Sequence, residues 1–479
     1  MSSLVSALGN AGNALNVIQQ ALDVVQNNVS NSSTPGFAAQ QFNFEAQPFD
    51  TASGLTGGVG SGGTTSTRDQ YADSNVQQQL QALGYYTSQA QSTGTMQSLF
   101  DVSGTSGVAT ALNNLFTSFS AWSTTPNDTT AQQTVISDAS ALAQSINSLS
   151  SSLTQTGQQF DQQIGSTVSQ INTLASHVQQ YNTQRLQETQ SDPGADANLE
   201  NTLESLSQLA NITTLHQADG TVTVLIGGSP LVIGDQQYSI SEQTAVKTSP
   251  PPVNADSPPT DQILDSQGND ITSEVTGGQL GGLLDSKNRV LASIIGDGQQ
   301  AGTLNQFTQS LADTVNGILE SGTVSTATGA AAGIALFNYN NADATLAAGS
   351  ITVNPAIAPG LLAPVDANGN SNGNANQLAA LATAEGEIEE QSYSGYFGGI
   401  AASVGQENQT ATNNQTTQQS VVTQAQSLQQ QISGVSLDDQ ATDLMQYQKA
   451  YQAVTEIMTT ISNLTNSLLA MMPPAGSTG

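Results

Sequence analysis

Two runs of apolar residues at heptad spacing, one near each extremity of the chain, most constrain what it can fold into. Leu4, Leu8, Ala11, Leu15, Ile18, Leu22, Val25 and Val29 follow one another at intervals of four and three. That spacing predicts a long helix with one apolar seam, N-capped by Ser2 or Ser3. Leu444, Tyr447, Tyr451, Val454, Met458, Ile461 and Leu468 repeat the pattern near the other end, with Thr465 interrupting it and Ile457 and Leu464 widening it. Ser436 is placed to cap this second helix, Asp438 and Asp439 sit at its positive end, and Pro473-Pro474 is expected to stop it. A lone helix of this kind leaves its seam in water and is marginal. The two must pack on each other, on a core, or on neighbouring subunits.

The first seam runs into Asn27-Asn28-Val29-Ser30-Asn31-Ser32-Ser33-Thr34-Pro35-Gly36, turn formers ending in a breaker pair. Pro35 restricts the backbone there and Gly36 frees it, as a fixed bend requires. Residues 75–204 read as mostly helical, with Leu112, Leu115, Phe116 and Phe119 on one face and Ile164, Val168, Ile171, Leu174 and Val178 on another. Residues 212–280 carry a β signal: a strand over 221–226 ends at Gly227-Gly228, and Leu231-Val232-Ile233 follows. Pro250-Pro251-Pro252 and Pro258-Pro259 mark an extended loop, and helix returns over 281–319. Residues 322–376, rich in Gly, Ala and Asn, read as loop with one short strand at 350–353, and helix resumes from Leu378.

The expectation is a mainly α fold with a β-rich insert, elongated and multidomain. Residues 1–36 and 436–479 form a terminal domain in which the two amphipathic helices pair as a coiled coil. Residues 37–200, 281–321 and 376–435 form a helical core domain. Residues 201–280 form a smaller outer β domain, and 322–375 a Gly/Ala/Asn-rich loop region. Both extremities then lie at one end of the molecule.

Charge excludes several classes of function. The 479 residues carry 37 acidic and 6 basic side chains, a net charge of −31. Arg68, Arg185, Lys247, Lys287, Arg289 and Lys449 are scattered, so no basic patch exists to neutralise a phosphate backbone or an anionic membrane surface. No nucleic-acid partner is expected, and no membrane insertion, because the apolar runs fall short of the roughly 18–20 residues that a span needs. The start of the chain lacks a basic segment followed by a continuous apolar run, so a cleaved secretory signal is not expected.

Catalytic chemistry finds little to work with. Absence of Cys removes disulfides, thiolate metal sites and Cys nucleophiles. His177 and His216 read as structural, and no HExxH, GxSxG or phosphate-binding loop is present. The run from Asp366 to Gly373 has the look of a calcium loop, but positions six and twelve are Ser371 and Gln377, so a turn-rich loop is expected. Asp261, Asp265 and Asp270 read as solvated turn residues, and Glu385-Gly386-Glu387-Ile388-Glu389-Glu390 as an exposed helix face. No catalytic residue, cofactor or metal is assigned, and the chain is not expected to be an enzyme.

Both ends nevertheless resemble a known family. Asn27 to Phe37 is similar to the N-terminal signature of the flagellar rod–hook–junction family of axial proteins, Asn-Asn-x-x-Asn-x-x-Thr-Pro-Gly-aromatic after an amphipathic helix. Gln446-Tyr447-Gln448-Lys449-Ala450-Tyr451-Gln452-Ala453 resembles its C-terminal Gln-x-Ala-Tyr-Gln-Ala signature. Segments 432–439, 119–128, 219–232, 276–285 and 374–378 resemble the junction members in particular, and only about 322–366 lies outside the likeness. Phe37 replaces the commoner Tyr, Ala39 stands where Arg is frequent, and Gln132 and Gln133 occupy an often basic region.

The resemblance implies a structural adaptor joining the flagellar hook to the filament, secreted unfolded through the flagellar export apparatus and extracellular thereafter. Implied partners are further copies of the chain in a ring or helical lattice, hook protein on one side, the second junction protein on the other, and an export chaperone on the C-terminal helix. The expected assembly interface is Leu4, Leu8, Leu15, Ile18, Leu22, Val25, Val29, Leu444, Tyr447, Tyr451, Val454, Met458, Ile461 and Leu468. The expected hinge is Asn27, Asn28, Asn31, Thr34, Pro35, Gly36 and Phe37. Alternatives are a hook or distal rod structural protein or, from a different class, an extracellular adhesin.

Overall fold

The computed structural model describes residues 2–50, 55–100, 106–187, 192–246 and 257–471. Lys247, the Pro250-Pro251-Pro252 run and the Pro473-Pro474 stop lie outside the described residues, as do the side chains of Ser2 and Ser3.

The chain opens with helix α1 (Ser2–Ser30) and two antiparallel pairs of strands, β1 (Gln40–Ala46) with β4 (Val59–Ser66) and β2 (Phe49–Asp50) with β3 (Leu55–Thr56). Four helices follow: α2 (Gln70–Gln97), α3 (Gly107–Thr124), α4 (Thr129–Gln187) and α5 (Pro193–Leu209). A four-stranded antiparallel sheet then runs in the order β5 (Ile212–His216), β6 (Val222–Ile226), β7 (Ser229–Ile233) and β8 (Gln236–Gln237). Next come the antiparallel pair β9 (Ser241–Ala245) and β10 (Thr260–Leu264). Helix α6 (Gly278–Asp285) continues through a π-helical segment (Ser286–Leu291) into α7 (Ala292–Ile295), and α8 (Thr303–Glu320) follows. The strand pair β11 (Phe337–Asn338) and β12 (Thr352–Val353) flanks α9 (Ala347–Ser350). The chain ends in α10 (Gly373–Ala380), α11 (Tyr393–Ser433) and α12 (Leu437–Met471).

Helix α4 is the spine. Its 59 residues span about 88 Å at 1.5 Å per residue. No proline interrupts it, and Val135, Ala139, Leu142, Ile146, Leu149, Leu153, Phe160, Ile164, Val168, Ile171, Ala175 and Val178 bury one continuous stripe. The lower part of that stripe packs with α3, which brings Leu112, Leu115, Phe116, Phe119 and the fully buried Trp122, and Phe307 and Leu311 of α8 belong to the same core. The upper part carries the β layer. Asn182, fully buried, donates from Nδ2 to the Val222 carbonyl at 2.8 Å and the Gly234 carbonyl at 2.7 Å, and its Oδ1 accepts from Val222 N. One amide thus pins the sheet to the helix.

Several sequence expectations change here. Residues 40–46 and 59–66 belong by sequence to the helical core, yet they form a strand pair laid on α1, where Phe42 buries itself with Val17 and Ala21. The region 322–375 is not simply loop: Leu336, Phe337, Ala348, Ile351 and Leu362 join the main core. Its alanines and short hairpin hid that packing. The acidic run 385–390 is a turn rather than a helix face, with Gly386, Glu389 and Glu390 at positive φ and Ile388 buried beneath it. Asp261 is not solvated. It shares the inward face of β10 with Ile263, two residues on, and its side chain is fully buried. Asp270 is an exposed turn residue and Asp265 a half-buried one whose carboxylate accepts the turn's own N–H groups.

Candidate assembly interface

Helices α1 and α12 pair antiparallel: Gly12 lies against the Met458 side chain, and Asn28 meets Gln440 eighteen residues earlier on α12. Both free ends therefore project together. On α1, Ile18 and Val25 are buried, Leu4, Leu8, Leu15 and Leu22 are half-buried, and Val29 is exposed. On α12, Tyr447, Val454, Met458 and Ile461 are half-buried, whereas Leu444, Tyr451 and Leu468 stand exposed. The face of α12 towards α1 is completed by Gln440, Ala450 and Thr465, which are too small or too polar to register in an apolar pattern. Leu437, Leu444, Tyr451, Leu464, Leu468 and Met471 stay exposed, at several angles around the helix.

Helix α1 also has a second buried face that its heptad conceals. Val17 and Ala21, with Val24 at the margin, pack on Phe42 and Val59 of the β1–β4 hairpin and on Tyr447. The Phe44 ring meets Tyr447 at a centroid distance of 5.7 Å. Hairpin, α1 and α12 thus form one small three-way cluster.

The bend after α1 is built by side chains that imitate backbone. Asn31 Nδ2 donates to the Asn27 carbonyl at 3.0 Å, and Thr34 Oγ1 donates to Asn31 Oδ1 at 3.2 Å. Asn28, 1% exposed, receives Gln40 N on Oδ1 at 2.8 Å and donates Nδ2 to Gln40 O at 2.8 Å, so it pairs with β1 as a neighbouring strand would. Gly36 turns the chain at φ +73, and a Cβ there would collide with the Ala197 carbonyl of α5. Pro35 lines the open groove of about 610 Å³ between this loop and the end of α11, together with Gly36, Phe37, Gln430 and Gly434.

A buried charge cluster lies beneath the bend. Arg68 donates Nη2 to the Gly36 carbonyl at 2.5 Å, and its Nη1 lies 3.2 Å from Asp73 Oδ2 and 3.5 Å from Glu200 Oε2. Gln77 donates to Glu200 at 3.0 Å, and Gln429 of α11 donates to Asp73 at 2.8 Å and to Glu204 at 3.3 Å. Burial, then the Asp73 carboxylate, raises the Glu200 pKa well above the usual carboxylate range, and burial raises that of Glu204. Ser433 closes the joint: its carbonyl accepts Ala39 N at 2.8 Å and its Oγ accepts Asp69 N at 3.0 Å. Arg68, Glu200 and Ser433 were not among the expected hinge residues, and they reach the bend from three distant segments.

The remaining candidate chemistry is dispersed. His177 is exposed on α4 and His216 ends β5. Asp366 spends its carboxylate inside its own turn, accepting Asn368 N at 3.0 Å, Asn370 N at 2.8 Å and Asn370 Nδ2 at 2.7 Å. Gln132, at a position often basic in the family it resembles, is buried and bonds Pro126 O at 2.8 Å and Gly360 N.

Comparison with known proteins places these features. Residues 8–37 match the family model described as flagella basal body rod protein, and 424–471 that of the flagellar basal body rod FlgEFG protein C-terminal region. Residues 93–337, more than half of the chain, match the flagellar hook-associated protein FlgK helical domain. The chain belongs to the flagellar hook-associated protein FlgK family. It is a structural component of the flagellum, its family is not an enzyme family, and membership implies assembly with other flagellar axial proteins.

Relatives extend the match along the chain. Flagellar hook-associated protein 1 of Bacillus subtilis (strain 168) is 25% identical over 99% of this chain and 100% of its own length. Flagellar hook-associated protein 1 of Escherichia coli (strain K12) is 30% identical over 53% of this chain and 46% of its own. The flagellar hook junction protein FlgK from Burkholderia pseudomallei superposes with a TM-score of 0.63 over 76% of this chain and 100% of that one, at 17% identity, a likeness of fold. Among the described residues no helix is long and apolar enough to cross a membrane.

Proposed function

We propose that this chain is the structural adaptor joining hook to filament, exported unfolded and assembled outside the cell through its terminal helices. The observation that carries this reading is the apolar surface that α12 leaves open. Leu437, Leu444, Tyr451, Leu464, Leu468 and Met471 stay exposed along a helix that already packs on α1. So many large apolar side chains left in water on one helix mark a surface for a neighbour. A lattice of copies supplies one at every position, because the contact is head-to-tail around an axis rather than closed on itself. The expected interface residues Leu4, Leu8, Leu15, Ile18, Leu22, Val25, Tyr447, Val454, Met458 and Ile461 then hold the terminal pair together, and the exposed Val29, Leu444, Tyr451 and Leu468 receive adjacent subunits.

Hook protein on one side and a second junction protein on the other are the partners this reading requires, with an export chaperone covering the C-terminal helix before secretion. The B. pseudomallei relative is described as a hook junction protein, which favours this position over a hook or distal rod role. The rod-type matches at 8–37 and 424–471 fit terminal modules shared along the axis. We assign 1–36 and 436–479 to the terminal domain, with the hairpin of 40–66 added to it. Residues 201–280 are the outer β domain.

A deletion strain tests the placement: it should make hooks and lack attached filaments. Loss of hooks as well would make the rod or hook role the better one, and intact filaments would remove both.

A further inference from the structure

Outside the joint, one cluster of reactive groups is used by nothing described so far. Lys287 lies on the π-helical segment, 5% exposed, with its Nζ 3.0 Å from Asp261 Oδ1 on β10 and in contact with Asp161 of α4. An ion pair would hold helix and strand together without chemistry. Three features of the site go further than that.

First, Asp261 is fully buried, and neither of its carboxyl oxygens accepts a hydrogen bond from the described residues, although Nζ is within reach. A carboxylate left so poorly solvated is costly as an anion. Burial, and then Glu242 on the adjacent strand β9, push its pKa up to about 7, while burial pulls that of Lys287 down to about 8. The neutral acid and the neutral amine are therefore both accessible near neutral pH. Second, the Asp261 backbone is clamped: its N–H donates to Asn288 Oδ1 at 2.9 Å and its carbonyl accepts Asn288 Nδ2 at 2.8 Å. Asn288 follows Lys287 directly, so one π turn carries both the clamp and the amine, and such turns concentrate at functional sites. Third, Asp161 is partly open to solvent at 28%, which suits a carboxylate that accepts and returns a proton.

We propose that Lys287 and Asp261 close an intramolecular isopeptide bond, with Asp161 as the proton carrier, stapling the β layer to the helical core. The Nζ lone pair attacks Cγ of the protonated Asp261 carboxyl. Asp161 takes a proton from the nitrogen and delivers it to the departing hydroxyl. A Cγ–Nζ bond forms, a Cγ–O bond breaks and one water leaves, with no change in oxidation state and no further reactant. Holding amine and acid at contact in a closed site supplies the proximity that amide formation lacks in water. In a chain without Cys it is a route to a covalent crosslink.

The intact mass of the purified full-length chain tests this directly. The folded chain should be lighter than its sequence mass by one water, and digestion should release a branched peptide joining the segments around residues 261 and 287. Asp261→Asn should be lighter by one ammonia instead. Lys287→Met should show its full sequence mass and no branched peptide. A wild-type chain that stays at full sequence mass after days folded at neutral pH would overturn the proposal and leave an ion pair. A branch mapped to Asp161 would overturn the choice of Asp261.

Discussion

Asn28 and Gln440 lie 412 residues apart in sequence and share a buried hydrogen bond, Asn28 Nδ2 to Gln440 Oε1 at 2.9 Å. The same Asn28 side chain makes both ladder-like bonds to Gln40. One amide thus couples the end of α1, the start of the hairpin and the start of α12. Its burial matters because an amide stripped of water and of partners is costly, whereas a satisfied one orients everything it touches.

Replacing Asn28 by Ala removes both Gln40 bonds and strands Gln440. We expect a local cost of about 1–3 kcal/mol. Amide exchange should accelerate in α1, β1 and the first turns of α12, with α4 unchanged. Equal acceleration in α4 would show that the joint is not a separable unit.

The charge cluster under Gly36 makes stability depend on pH with a definite sign. Because the folded chain holds the Glu200 proton more tightly than the unfolded chain, it binds more protons between the ordinary Glu range and neutrality. The contribution of this group is therefore greatest below that range and declines as pH climbs towards neutrality. Glu204 acts in the same direction. Glu200→Gln imitates the protonated form, keeps Gln77 and Arg68 within reach, and should flatten the decline. Melting temperatures of both proteins at pH 5 and pH 8 measure it: the wild type should lose more than the variant, and parallel losses would contradict the assignment.

The exposed and the half-buried apolar positions of α12 should separate stability from assembly. Leu444→Glu and Tyr451→Glu change exposed positions and should shift monomer stability by only about 0.5 kcal/mol. Filament attachment should nevertheless fail in a complemented deletion strain. Val454→Glu places a charge against α1 and should loosen the terminal pair in the monomer, seen as lost helical signal. Normal attachment with Leu444→Glu and Tyr451→Glu together would remove these positions from the interface.

Asn182 gives a prediction for the outer β layer. Substitution by Ala deletes three bonds to the Val222 and Gly234 backbones inside a dry interface. A cost of about 2–4 kcal/mol is expected from unpaired buried backbone groups. Proteolysis should nick the β segments first while the fully buried Trp122 keeps its native fluorescence. A change in Trp122 emission at the same dose would mean that sheet and helical core unfold as one.

Much of the architecture is local information. Heptad spacing marks α1 and α12, Ser436 caps α12 by accepting Asp439 N at 3.3 Å, and Leu112 to Phe119 bury as one face. The bend at 27–37 is legible because turn residues act on their own neighbours, as Asn31 and Thr34 do. Asp261 was open to misreading for the opposite reason. Whether an aspartate at a strand end is wet or buried depends on what covers that face, here Lys287 and α4.

By itself the sequence determined the long helices, the β insert, the bend and the signatures that mark the family, because periodicity and turn chemistry act over a few residues. Only the tertiary structure decided which face of α12 meets α1, that strands β1 and β4 lie on α1, and that Arg68, Asp73, Glu200 and Gln429 converge under Gly36. It also brought Lys287 to Asp261. Each of these depends on contacts between segments far apart in sequence, where burial and charge are set by the partner and not by the neighbours along the chain.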